Sequence, residues 1–295
     1  MENTPLHTRR WSRRLRRALD APERWEALDA PAQRIAAAVE ALPLGPYRDA
    51  LHGVWLGHPL HPAMVQLPVG FWTSAAVLDF FPGARRPADA LVAAGLLTAA
   101  PTALSGWVDW ARLDPPRRRT GLVHALGNTT GLLLYAGSLV ARCKGHRGRG
   151  RLLGLAGAAT VSAAASLGGH LAYRQAAGPD RAAAVPRLAP ADWVAIGEVE
   201  DFPEGTPVRA TAGELAVVVV REGQDCHVLA ERCTHLSGPL SEGELVDGCL
   251  RCPWHGSTFR LRDGEVVCGP ATAPQPVLET RILSGHLEIR LPGAG

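Results

Sequence analysis

Four long apolar stretches in the first 175 residues restrict the fold of this chain more than any other feature. They cover residues 64–81, 90–110, 121–141 and 152–173. Each approaches the roughly 20 residues that an α-helix needs to cross a bilayer. Their interiors carry almost no charge and no polar stripe, which favours an all-α four-helix transmembrane bundle over four buried helices of a soluble protein.

The charge of the chain is divided unevenly between its two parts. From Leu188 onwards there are 8 Arg or Lys against 16 Asp or Glu, a net charge of −8; since the whole chain carries +3, residues 1–187 carry +11. Basic residues are concentrated before the first apolar stretch and in the short connecting segments. Their distribution predicts a multi-pass protein of the cell membrane with both termini on the cytoplasmic side.

The remaining segments complete a four-part organisation. We expect a basic N-terminal segment with a short helix (1–50), a four-span membrane domain (51–175), a Pro/Ala-rich linker (176–190) and an all-β domain (191–295). The last part contains short β-type runs such as "ELAVVVV" and "HLEIR", separated by turn signals such as Asp263-Gly264.

The all-β part contains a pattern of metal-binding residue types. Cys233 and His235 form a C-x-H pair, and Cys252 and His255, after sixteen intervening residues, form a C-x-x-H pair. Two cysteines and two histidines can hold a zinc ion in a tetrahedral site. They can also hold a [2Fe–2S] cluster, with two thiolates on one iron and two imidazoles on the other. The spacing alone leaves both possibilities open.

The flanking residues make this region similar to the Rieske iron–sulfur family. The motif spacing, the Gly-Ser pair after His255 and the strands on both sides carry the resemblance, over about residues 193–291. The resemblance implies a [2Fe–2S] cluster in a three-layer β fold and a proline-rich segment (268–276) that covers it. It also implies cluster ligands at Cys233, His235, Cys252 and His255, and further cofactor contacts at Leu236, Trp254, Gly256 and Ser257.

Several positions differ from the cytochrome bc members of that family. Gly238 and Trp254 occupy the places of a disulfide-bonded cysteine pair, and Phe259 replaces a tyrosine. Loss of a hydrogen bond to the cluster lowers its potential, so we expect a value below about +150 mV, within a family range of about −150 to +300 mV. We expect the other four cysteines, at 143, 226, 249 and 268, to be free, as in a reducing compartment.

Residues 51–173 resemble a bacterial membrane-protein family known only as a domain of unknown function. The motif "GHPLHP" before the first stretch, "GWVDW" at the end of the second, and His124 with Asn128 at the start of the third carry this resemblance. It implies a helical membrane fold and no established activity.

Polar residues at one membrane face form a second candidate site. Because alternate spans run in opposite directions, five residues would fall at one level: His58, His61, Asp109, His124 and His170. His124 and His170 could ligate a haem b iron from two sides, and the first two histidines could bind a metal or a quinone head group. A purely structural role for these residues is the third alternative.

These features together predict a membrane-anchored Rieske-type electron-transfer protein. It would carry single electrons between a membrane donor or acceptor and a redox partner protein or quinone, within a lipid bilayer and without nucleic acid. Two alternatives are a quinol oxidoreductase or a reductase component that supplies an oxygenase, and a redox sensor. Whether the chain is itself an enzyme stays open, although the residues after the cluster motif do not suggest the 2-His-1-carboxylate iron domain of an oxygenase.

Overall fold

The N-terminal region of the chain is helical. A computed structural model describes residues 6–293, with the side chains of residues 11–293. Short 3-10 turns connect several of the helices, which are α1 (Leu6–Asp20), α2 (Asp29–Glu40), α3 (Tyr47–His52), α4 (Leu60–Met64), α5 (Gln66–Leu78), α6 (Arg85–Trp110), α7 (Pro115–Cys143) and α8 (Arg147–Gly169). A π-helical turn, His170–Arg174, extends α8.

The four predicted apolar stretches differ in how well they suit a membrane. Within the described residues, two segments are long and apolar enough to cross one, Pro82–Trp110 and Arg147–Arg174. The first stretch is divided between α4 and α5, and the 13 residues of α5 rise only about 20 Å. The third stretch, in α7, contains His124, Asn128, Thr129 and Thr130, which lower its hydropathy. The helical region is therefore confirmed, whereas four membrane-crossing helices are not established by length and composition.

Aromatic and small residues hold α5 to α8 together. The rings of Trp72 and Tyr135 stack at 4.1 Å, and Trp72 Nε1 donates to the carbonyl of Val92 over 3.4 Å. Gly157 lies against the ring of Tyr135, where a Cβ would come within 3.0 Å. Close approach at small residues is typical of helix pairs that pack in lipid.

A buried ion-pair network lies at one end of the same helices. Arg142, whose side chain is 2% exposed, donates to Asp79 over 2.8 Å and to Asp89 over 3.2 Å. Its Nε donates to Ser138 Oγ over 3.1 Å. Asp79 therefore acts as the counter-charge of a buried arginine.

The C-terminal region consists of antiparallel β-structure in two sheets. The strands are β1 (Val194–Glu198), β2 (Val208–Ala212), β3 (Leu215–Glu222), β4 (Asp225–Ala230), β5 (Glu244–Val246), β6 (Cys249–Arg251), β7 (Thr258–Arg260), β8 (Val266–Cys268), β9 (Val277–Leu283) and β10 (His286–Arg290). Their order is β1-β10-β9-β4-β3-β2 in the six-stranded sheet and β5-β6-β7-β8 in the four-stranded sheet.

Strand β3 reads as a continuous apolar run because both of its faces are buried. Val217 and Val219 face one apolar cluster together with Leu287. Val218 and Val220 face a second cluster, which contains the cysteines of the C-x-H and C-x-x-H pairs. The side-chain alternation of a strand therefore joins the core of the large sheet to the two motif loops.

Two segments outside the predicted all-β domain pack with it. Within the described residues, 44–60 and 178–293 form one compact unit, and 6–43 and 61–177 form the other. A short helix, α9 (Val185–Leu188), lies in this part of the chain. Its first residue, Val185, and the preceding Ala182 are buried in the same apolar cluster as Leu287. The predicted linker is thus partly a component of the β unit, and so is the segment that contains α3.

Candidate metal centre

Two loops of the β unit share one backbone hydrogen-bond pattern. The first follows β4 and includes Cys233, and the second follows β6 and begins at Cys252. In each loop the cysteine N–H donates to the carbonyl five residues further on, over 2.9 Å to Gly238 and 2.8 Å to Ser257. The two halves of the motif therefore fold as a matched pair of tight turns.

The residue four positions after each cysteine closes the turn. Ser237 and Gly256 donate their N–H groups to the cysteine carbonyls over 2.9 Å and 3.1 Å. Both adopt left-handed backbone conformations, with φ of +66° and +76°. Glycine adopts this conformation without strain, which explains its place after His255 in the sequence.

Each cysteine sulfur faces two backbone N–H groups of its own loop. The donors are the residues two and three positions after each cysteine: His235 and Leu236 in the first loop, Trp254 and His255 in the second. Backbone N–H groups that point at a sulfur stabilise its thiolate form. Two of the sequence-predicted cofactor contacts, Leu236 and Trp254, thus act through their backbone.

The two thiols are buried and in contact with each other. Cys233 is 1% exposed and Cys252 is 3% exposed. Their mutual hydrogen bond, together with burial, raises the pKa of Cys233. The same bond lowers the pKa of Cys252 to about 7. A pair that shares one proton beside four N–H donors is suited to bind metal, since the thiolate is the ligand form.

The two imidazoles lie closer to the surface than the thiols. The rings of His235 and His255 are 5.0 Å apart and nearly perpendicular, and both residues are half-buried. The indole of Trp254 lies edge-on to His255 at 6.4 Å and is 56% exposed. Paired thiols inside and paired imidazoles outside fit a two-iron cluster with one iron for each pair.

The proline-rich segment after β8 contacts both loops. Ser257 Oγ accepts the N–H of Ala271 over 3.1 Å, and Thr234 Oγ1 donates to the carbonyl of Ala273 over 2.9 Å. Ser257 is fully buried, and so is Phe259 in β7. The segment predicted to cover the cluster therefore joins the two ligand loops.

Gln275 is a site residue that the sequence did not indicate. Its amide donates to the carbonyls of Ala230 and Arg232 over 2.7 Å and 2.9 Å. Its carbonyl accepts the N–H of Thr234 over 3.1 Å, and the residue is 1% exposed. The only available signal was a polar residue between two prolines in the covering segment.

A carboxylate from outside the predicted β domain also reaches the covering segment. Asp49 in α3 accepts the N–H of Gly269 over 3.0 Å. Gly269 lies against the backbone of Ser257, where a Cβ would come within 2.7 Å. The neighbouring His52 is 1% exposed. No local pattern predicts this contact, because 220 residues separate the two partners.

The structure places the histidines of the helical region against protein atoms. His61 and His124 direct their Nδ1 atoms at the carbonyls of Thr102 and Ala164, over 2.9 Å and 2.8 Å. Asn128 Nδ2 donates to the carbonyl of His124 over 3.0 Å and lies 3.1 Å from its Nε2. His124 is thus surrounded by protein atoms of α7 and α8, which accounts for the H-x-x-x-N motif and gives no support to haem or quinone binding.

The other predicted members of this layer lie in different surroundings. His170 Nε2 lies 3.3 Å from Glu23 Oε1 and 3.5 Å from Asp20 Oδ1. His124 instead has the ring of His61 as its neighbour, at 6.4 Å. Asp109 is half-buried near the end of α6, and the exposed His58 lies in the β unit, with Nδ1 3.1 Å from its neighbouring carbonyl.

Comparisons with known proteins agree with both parts of this description. Residues 192–281 match the Rieske [2Fe-2S] domain, and residues 57–181 match the family described as "Predicted membrane protein (DUF2231)". The site is thus that of a Rieske-type iron–sulfur protein, which implies a [2Fe–2S] cluster. The chain belongs to the Rieske family through its C-terminal domain, with a domain of the second family preceding it.

Two ferredoxin subunits of dioxygenases are similar to about a third of the chain. The chain is 34% identical to the anthranilate 1,2-dioxygenase ferredoxin subunit of Burkholderia cepacia over 101 residues, which are 34% of this chain and 94% of that protein. It is 32% identical to the 3-phenylpropionate/cinnamic acid dioxygenase ferredoxin subunit of Escherichia coli (strain K12) over 97 residues, which are 32% of this chain and 91% of that protein. This homology implies electron transfer.

A solved structure aligns with the same third of the chain. The Sphingomonas yanoikuyae B1 ferredoxin is 24% identical and aligns with a TM-score of 0.33, covering 34% of this chain and 100% of that chain.

Proposed function

We propose that this chain is a membrane-anchored Rieske electron carrier that delivers single electrons to an oxygenase-type partner. The observation that carries the proposal is the polarity of the site. Buried thiols lie behind half-exposed imidazoles, and the exposed ring of Trp254 lies beside His255. Relatives that are ferredoxin subunits of dioxygenases favour an oxygenase component as the acceptor.

The side chains divide the work of such a carrier. When bound, the cluster supplies a one-electron redox couple. Cys233 and Cys252 would hold it from the buried side, with their charge stabilised by the backbone N–H groups. His235 and His255 would hold it from the exposed side and provide the shortest route to a partner. Burial of Phe259 and Ala271 keeps water away from the thiol side.

The apolar surface of the helical region supports the proposed four-span membrane placement. Within the most apolar windows of the two long segments, only 28% and 22% of residues are buried. Large apolar side chains are exposed on all four helices from α5 to α8, among them Val77, Leu97, Leu133 and Leu152, at 54% to 77%. Exposed apolar surface of this kind marks contact with a partner or with lipid.

Spectroscopy of the purified full chain tests the cluster. In detergent, the reduced protein should show the rhombic EPR signal of a cluster with mixed cysteine and histidine ligands. Cys233→Ser should abolish the signal, whereas Cys143→Ser, at an exposed position on α7, should leave it unchanged. Zinc without iron on elemental analysis would refute the cluster assignment.

Two further measurements test the carrier role and the anchor. The oxygenase component of an aromatic-ring dioxygenase should reoxidise the reduced protein faster than a soluble quinone does. The reverse order would favour a quinone-linked function. The chain should remain in the membrane pellet after an alkaline carbonate wash, and its release would refute the membrane anchor.

A further inference from the structure

The first helix of the chain has one basic side and one apolar side. Within α1, residues 9–17 include six arginines, and no acidic residue occurs before Asp20. Trp11, Leu15 and Ala18 share one helical face because they are four and three residues apart. Arg13, Arg16 and Arg17 occupy the opposite face. Arg14 lies at the border of the apolar face, so charge and apolar surface are largely separated around the helix.

The apolar side of α1 is exposed. Trp11 is 69% exposed and Leu15 is 49% exposed. Ala18 and the arginines of the opposite face are exposed as well. An apolar stripe exposed to water is unfavourable on a stable helix. A partner with an apolar layer next to an anionic layer would cover the apolar stripe and pair with the arginines.

The end of α1 is fixed to the end of the extended α8. Asp20 Oδ1 accepts from Arg174 Nε over 3.0 Å. Glu23 Oε1, just after the helix, accepts from Gln175 Nε2 over 2.6 Å and lies 3.3 Å from His170 Nε2. The C-terminal end of α1 is therefore held at the C-terminal end of the extended α8.

The segment that follows α1 also contacts the start of α7. Arg119 binds both carboxylate oxygens of Asp29 over 2.6 Å and 2.7 Å and donates to the carbonyl of Glu23 over 2.7 Å. The start of one long helix and the end of another thus meet the segment after α1. If these helices cross a bilayer, their ends lie at the level of the lipid head groups.

We propose that α1 is an interfacial helix that docks on an anionic lipid surface. Trp11 and Leu15 would enter the boundary between head groups and acyl chains, and the arginines would pair with lipid phosphates. Nucleic acid would also attract the arginines, but it would leave Leu15 in water. The inference rests on the proposed membrane placement of the helical region and adds a second, charge-dependent contact to it.

Hydrogen exchange of the full chain in lipid nanodiscs tests this role. Discs of phosphatidylcholine mixed with phosphatidylglycerol are compared with discs of phosphatidylcholine alone. We expect amides of α1 to exchange at least several-fold more slowly in the anionic discs. Amides of α2, which lies further along the chain, should exchange at the same rate in both kinds of disc and serve as the internal reference.

Two variants and a matched control separate the contributions. Trp11→Ser combined with Leu15→Ser should remove the protection of α1, and so should Arg13→Gln combined with Arg16→Gln. Arg34→Gln, at an exposed position on α2, should leave it intact.

Two kinds of failure are distinguishable. Incorporation of the chain into discs with equal α1 exchange in both lipids would refute the docking role alone. Exclusion of the chain from the discs would refute the membrane placement and the docking role together. Protection of α1 by added single-stranded RNA and not by anionic lipid would likewise overturn the proposal in favour of nucleic acid.

Discussion

Replacement of Gln275 by leucine should destabilise the cluster region without touching a cluster ligand. The two side chains are similar in size, so the substitution leaves no large cavity. It removes three hydrogen bonds, to the carbonyls of Ala230 and Arg232 and from the N–H of Thr234. The backbone groups of Ala230 and Thr234 would be left buried and unsatisfied, and the carbonyl of Arg232 would lose its partner in a partly buried position.

The expected loss follows from these three groups. An unsatisfied buried polar group costs about 1–3 kcal/mol. Because the surrounding structure relaxes in part, we expect the three groups together to cost roughly 3–5 kcal/mol of the free energy of unfolding. For a domain of this size, 1 kcal/mol corresponds to about 4–8 °C in the unfolding midpoint. Gln275→Leu should therefore lower the midpoint by more than about 10 °C.

Loss of the visible absorption of the cluster on heating measures this effect in the full chain. Iron content after purification gives a second measure, since a loosened first loop should retain less iron. Gln224→Leu is the matched control, because Gln224 is exposed in the turn between β3 and β4. Equal midpoints for the Gln275 and Gln224 variants would refute the assigned role.

Three further predictions concern charge and hydrogen bonding. Asp49→Asn keeps an acceptor for Gly269 but removes a negative charge, so the cluster potential should rise in a potentiometric titration; an unchanged value would contradict this. Ser257→Ala removes a buried hydroxyl and should lower the potential, because fewer hydrogen bonds then stabilise the reduced state. Arg142→Met leaves Asp79 without its buried partner and should cost about 3–5 kcal/mol. The midpoint of thermal unfolding of the helical region should fall, and a midpoint equal to that of wild type would refute the role of this pair.

The cluster loops were predictable because their information is local. Each cysteine lies two or three residues from its histidine, and the glycine with positive φ at position 256 lies inside the same turn. The sequence therefore indicated the ligand residues before any tertiary contact was known. The covering segment was recognised from its prolines for the same reason.

The supporting contacts were not predictable because they depend on distant pairs. Gln275 meets Thr234 across 41 residues, and Asp49 meets Gly269 across 220. In both cases the partner is a backbone group, which every residue carries, so no residue type marks it. For His124 the residue type suggested a ligand of a cofactor. Its actual partner, the carbonyl of Ala164, is again a backbone group that the sequence does not mark.

The distribution of polarity in the helical region supports the proposed membrane placement. Ser105, Thr120 and Ser138 are fully buried, while Leu97 and Leu133 are 77% and 67% exposed. A soluble helical bundle has the opposite arrangement, because water rewards burial of apolar rather than polar side chains. In hydrocarbon, polar groups gain most by pairing inside the bundle, and exposed leucine has no cost. The pattern extends to α7, which contains the buried Thr120 and Ser138 and the exposed Leu133.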